Sequence, residues 1–73
     1  MTLEALPQGD AAIICTMCVN QVLQKRLSDF GMIEGTKIEC IRNSKGLRLY
    51  KVRGTLLALR NTDSAMIFVE LCE

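Results

Sequence analysis

After Gly35 the chain changes its hydrophobic period. In "TKIECIR" Ile38 and Cys40 share one face, "LRLYKVR" alternates in the same way, and in "MIFVEL" Ile67 and Val69 stand opposite Met66 and Phe68. Residues two apart lie on one face of a strand, so this period predicts strands. Upstream, "AAIICTMC" is rich in β-favouring residues and predicts a first strand. Only one segment suits a helix: Asn20 can cap it, "NQVLQKRLSDF" supplies good helix formers, and Leu23, Leu27 and Phe30 make one apolar stripe at i, i+4 and i+7. The predicted order is β, α, β, β, β, β. One helix cannot shield five short strands on both sides, so the sheet has to curl. The expected fold is mainly β: a small SH3-like five-stranded, partly open barrel with one α-helix inserted after strand one.

Glycines punctuate this plan. "LEALPQGD" is expected to be a loop, with Pro7 and Gly9-Asp10 marking a turn. Gly31 should end the helix, because it can take the left-handed conformation without a Cβ clash. "GMIEGT" is a compact turn closed by Gly35, "NSKG" a hairpin turn, and "NTDSA" the turn before the last strand. Gly54 is expected to let its strand bend or bulge into "TLLALR". Gly31, Gly35 and Gly54 are thus the structural turn positions. At 73 residues the chain makes one domain, residues 1–73, which buries only about 60% of its unfolded surface. With Tyr50, Phe30 and Phe68 as its only aromatics, its core must come from Leu, Ile, Val, Met, Ala and Cys.

The C-x-x-C of "IICTMCVN" raises metal and redox chemistry. A Cys-type zinc site needs two such pairs, and only one is present, flanked by Ile13, Ile14 and Val19. If Cys15 and Cys18 both lie in the strand, their offset of three sends them to opposite faces. They form a metal pair only if the strand ends before Cys18. Cys40 reads as a small core residue, and Cys18 and Cys72 as the most exposed thiols. The N-terminus carries acids where a signal peptide needs basic residues, and no apolar run approaches a membrane span, so a cytoplasmic protein with reduced thiols is expected. No cofactor is expected.

Net charge is +1, which argues against a protein built to grip phosphate backbones, and no direct nucleic-acid partner is expected. Still, Arg42, Lys45, Arg48, Lys51, Arg53 and Arg60 stand between Cys40 and Asn61 without one carboxylate. The chain has no histidine and no phosphate-binding P-loop, and Glu34 and Glu39 lie where no cleft is expected, so enzymatic activity is not expected.

"RLSDFGMIEGTKIECI" followed by "VRGTLLALRNTDSAMIFVE" resembles the FeoA family. The shared spacing runs from Gly31 to Gly35, and from Gly54 through Ala58, Leu59 and Arg60 to Ala65. Two departures stand out: Glu34 where the family often has Pro, and a shorter hairpin at "NSKGLRLY". The resemblance implies a small non-enzymatic cytosolic accessory protein of bacterial ferrous iron transport. Its implied partner is the GTP-binding domain of the membrane iron permease, so it would meet the membrane only through that permease. The fold is also similar to the SH3-like domain of metal-dependent repressors, which keeps a regulatory domain as an alternative, alongside a thiol-based metal-binding protein.

The residues then suggest a contact surface. If the helix stripe packs on the barrel, Gln24, Lys25 and Ser28 face outward beside the turn, where Met32 and Ile33 are expected as exposed apolar anchors. The alternative surface is Arg48, Tyr50 and Arg53. Arg53 or Arg60 as an arginine finger into the permease GTP site is weighed against a structural role, each ending a strand near Asp63 or Glu70. Homo-oligomers are compatible with this composition.

Overall fold

The computed structural model describes residues 1–72. Five strands form one antiparallel sheet: β1 (Ala11–Met17), β2 (Lys37–Ser44), β3 (Leu47–Val52), β4 (Thr55–Arg60) and β5 (Ile67–Leu71). Their order is β4-β3-β2-β1-β5, so β4 and β5 are edges and the curled sheet stays open. The helix α1 (Gln21–Asp29) follows β1, and a one-turn helix α2 (Asn61–Ser64) occupies "NTDSA". The expected single helix after strand one and the five strands are found.

The core follows the period-two pattern. Ile38 and Cys40 on β2, Tyr50 and Val52 on β3, and Ile67 and Val69 on β5 are all buried. The first and last strands pair, Ile13 with Glu70 and Met17 with Ile67, and the Cys72 N–H bonds to the Ala11 carbonyl at 3.0 Å. A register shift between Ile14 and Thr16 marks a bulge at Cys15.

Three turns differ from expectation. The β2–β3 turn is only Lys45-Gly46, because Asn43 and Ser44 still pair with β3. Gly54 does not bend one strand. Arg53 (φ 49°) and Gly54 (φ 79°) form a two-residue reversal with Val52 opposite Thr55, the positive-φ pair that matches strand twist. At the N-terminus, Leu3–Ala5 is a 3₁₀ turn rather than plain loop. Leu3 and Leu6 are fully buried, since side chains at i and i+3 superpose in that helix and both enter the barrel.

Candidate functional site

Asn20 caps α1 as its sequence suggests, its side-chain oxygen accepting the Leu23 N–H at 2.9 Å. At the other end Gly31 takes φ 86°, its N–H bonds to Ser28 O at 2.9 Å, and the Met32 N–H bonds to Leu27 O at 3.0 Å. These two bonds make a Schellman motif, which folds the residue after the glycine back onto the helix. Met32 is therefore fully buried with Leu27, which corrects its expected role as an exposed anchor. Phe30 also departs from the stripe. It sits at the C-cap, outside the helical spiral, and is 47% exposed, leaving Leu27 and the half-buried Leu23 to dock α1.

Ile33 behaves as expected and is 44% exposed. Its turn is held tightly: the Ile33 N–H bonds to Gly31 O at 3.1 Å and the Thr36 N–H to Ile33 O at 3.1 Å. The Gly35 N–H bonds to Ile14 O at 2.8 Å, and the Ile14 N–H to Thr36 O at 3.0 Å, which ties the turn to β1. Ile33, Gln24 and Ser28 line one cleft of about 320 Å³, together with Met17 and Glu34. Lys25 is exposed but lies off this cleft. Met17 and Glu34 are additions that sequence reasoning did not name. Met17 ends β1 three residues before the helix cap, so its position beside the first turn was the available signal.

The alternative surface is largely interior. Arg48 and Tyr50 share the inward parity of Val52. Arg48 Nε donates to Tyr50 Oη at 2.9 Å, and its Nη2 donates to Leu6 O at 2.6 Å. The Tyr50 hydroxyl donates to Leu3 O at 3.2 Å, with Ser64 Oγ 3.1 Å away. Burial pushes the Tyr50 phenol above its ordinary pKa, more than the Ser64 bond and the Arg48 charge pull it down. The carbonyls of the buried N-terminal turn need donors, and Arg48 and Tyr50 supply them. Neither is a surface contact residue.

Arg53 remains exposed. Its side chain lies over Gly31, where a Cβ would come within 2.6 Å of Arg53 Cδ. It also lines a depression of about 360 Å³ with Lys37, Glu39 and Lys51. Arg60 pairs with Asp63 at 3.4 Å on the surface, the structural role weighed against an arginine finger.

The cysteines are free thiols: Cys40 buried, Cys18 and Cys72 exposed, Cys15 between. β1 does end before Cys18. Among the described residues, however, no group of three or more His, Cys, Asp or Glu side chains is placed to hold a metal ion. No helix of the described chain is long and apolar enough to cross a membrane.

A FeoA domain family model matches residues 1–71. No curated protein matches the chain. Among solved structures, the FeoA protein of Chlorobium tepidum is 25% identical, with TM-score 0.91 over all of this chain and 71% of its own. The zinc complex of Stenotrophomonas maltophilia FeoA is 22% identical, with TM-score 0.80 over 96% of this chain and 89% of its own. That protein is described as a prokaryotic SH3 domain protein and a candidate ferrous iron transport activating factor. A manganese-dependent transcriptional repressor is 13% identical, with TM-score 0.85 over 99% of this chain and 41% of its own, a likeness of fold alone.

Proposed function

The chain belongs to the FeoA family, and from that premise we propose that it is a non-enzymatic accessory module of ferrous iron transport. It acts in the cytoplasm by docking on the GTP-binding domain of a membrane iron permease. The contact is the cleft beside α1, with Ile33 as apolar anchor and Gln24 and Ser28 as polar rim.

One observation carries this reading. Ile33 is half-exposed on a turn that four backbone hydrogen bonds hold in place, so a partner pays little ordering entropy to bury it. An apolar anchor beside adaptable polar groups is the usual anatomy of a protein contact. The fold likeness to the repressor and the cations Lys37, Lys51 and Arg53 support the regulatory alternative only weakly, because the burial of Arg48 removes one cation from that surface.

The test is titration calorimetry of the full chain against the permease's isolated GTP-binding domain. Ile33→Ser is expected to weaken binding at least tenfold, roughly what losing 1.4 kcal/mol produces, while the melting temperature holds. Unchanged affinity would refute the cleft and make Arg53 and Lys51 the next residues to alter.

A further inference from the structure

The two edges of the sheet are treated differently. Along β5, Met1 and Thr2 act as a short covering strand: the Val69 N–H bonds to Met1 O at 2.8 Å, the N-terminal amine bonds to Val69 O at 3.1 Å, and Thr2 bridges Phe68. Among the described residues nothing equivalent lies along β4. Its hairpin closes through two residues, so Val52 and Thr55 form a bonded pair, and bonding to β3 then alternates. Thr55, Leu57 and Leu59 bond to β3, whereas Leu56 and Ala58 aim their N–H and C=O groups outward. Among the described residues these outward groups find no partner.

β4 also lacks the devices that normally blunt an edge. Thr55 to Leu59 contains no charge and no proline, its register with β3 is unbroken, and Leu56 is 60% exposed. Beside it runs a groove of about 210 Å³ in which Phe30 and Leu47, each 47% exposed, stand near Leu57.

We propose that β4 is a self-association edge, where two copies pair antiparallel about a two-fold axis through Leu57. The register follows from parity. The outward groups belong to Leu56 and Ala58, so Leu56 of one copy lies opposite Ala58 of the other, and each such pair exchanges both backbone bonds. Symmetry repeats the pair on the other side of the axis. Leu57 meets its own counterpart, and Arg60 falls opposite Gly54, so no like charges stand directly opposed. A second copy is the fitting occupant because this neutral strip satisfies itself under a two-fold operation, as an isologous contact requires. The Ile33 cleft shares no lining residue with the β4 groove and stays open in both copies.

Hydrogen exchange and analytical ultracentrifugation on the full chain, from micromolar to millimolar, test this. The Leu56 and Ala58 amides should gain at least tenfold protection as concentration rises, while those of Leu57 and Leu59 stay protected throughout. The weight-average mass should double in parallel. Ala58→Pro removes an N–H that β3 does not use and should hold the chain monomeric. Leu56→Lys keeps every backbone group, places a cation on the strip and should weaken self-association at least tenfold, so it carries the test if the proline variant fails to fold. A constant monomer mass to millimolar overturns the proposal. So does a dimer that Leu56→Lys leaves intact, or protection of Leu56 and Ala58 that is independent of concentration.

Discussion

The barrel interior and the helix side of this molecule both carry polar groups, and they use them in opposite ways. Inside, Arg48, Tyr50 and Ser64 are bonded to one another and to the carbonyls of Leu3 and Leu6, so every strong group there holds the N-terminal turn onto the barrel. Around α1, Gln24, Lys25 and Ser28 face water, and only Leu27 and Met32 are fully committed to the core. Buried polar atoms already bonded within the chain have nothing left for a partner, whereas the exposed Ser28 hydroxyl, although it donates to Lys25 O at 2.8 Å, keeps its acceptor lone pairs free. The contrast separates residues that keep the fold from residues that can serve recognition.

Removing Arg48 should produce the largest effect. Arg48→Ala strands the Leu6 carbonyl away from water, takes one of three partners from the Tyr50 hydroxyl, which keeps Leu3 O and Ser64, and empties the buried space of the guanidinium, so a loss of roughly 3 kcal/mol is expected. In a domain this small that is about 15 °C or more in melting temperature. Arg53→Ala, in the exposed β3–β4 turn, should stay within about 0.5 kcal/mol. Equal effects in urea denaturation would erase the distinction between the two regions.

Tyr50 sharpens it. Tyr50→Phe keeps the ring and deletes the hydroxyl shared by Arg48, Leu3 and Ser64, for an expected cost of about 1–3 kcal/mol. The wild type should also weaken in alkali. Above the ordinary phenol pKa of 10.0 the unfolded chain releases a proton that the folded chain, with its raised pKa, retains. The unfolded state then binds fewer protons, so stability falls from about pH 10 upward until the folded phenol itself ionises. Tyr50 is the only tyrosine, so phenolate absorbance reports it directly. The Phe variant should lose this part of the alkaline decline, and an identical decline would mean that Tyr50 is not its source.

Most of the fold was legible because period two survives wherever one strand face is buried: Ile38 with Cys40, and Ile67 with Val69, fell on the inner face as read. Arg48 was misread because its charge argued for solvent, although its parity with Tyr50 and Val52 pointed inward. No local pattern announces that an N-terminal carbonyl needs a donor from a strand more than forty residues away. Met32 was misread for a different reason. The glycine stop at Gly31 was recognised, but its geometric consequence, an apolar residue folded back on the last helical turn, was not drawn. In the cleft, Gln24, Ser28 and Ile33 followed from helix phase and turn position, whereas Glu34 and Met17 joined only through tertiary approach.

Gly31 joins the helix side to the exposed β3–β4 turn. Gly31→Ala places a Cβ at φ 86° and within 2.6 Å of Arg53 Cδ. The left-handed conformation should cost roughly 1–2 kcal/mol, and the flexible Arg53 side chain can move aside. Adding Arg53→Ala should therefore recover only a small part of the loss in thermal denaturation. Full recovery would mean that the contact, rather than the backbone, makes glycine necessary there.

The smallest global effect should come from Asn20→Ala. It removes the one side-chain cap of α1, a loss of about 1 kcal/mol. Because Leu27 and Leu23 alone dock this helix, the loss should fall on local opening rather than on the barrel. Amides of α1 are expected to exchange about fivefold faster, with those of Tyr50 and Val52 nearly unchanged. The helix would still be formed most of the time, so binding through the Ile33 cleft should fall less than twofold, far less than for Ile33→Ser. If instead the urea midpoint drops by the full amount and exchange quickens equally in β3, α1 opens only when the barrel does. The helix side would then be as tightly coupled to the fold as the Arg48 interior, and its exposed groups would have to be judged by their chemistry alone.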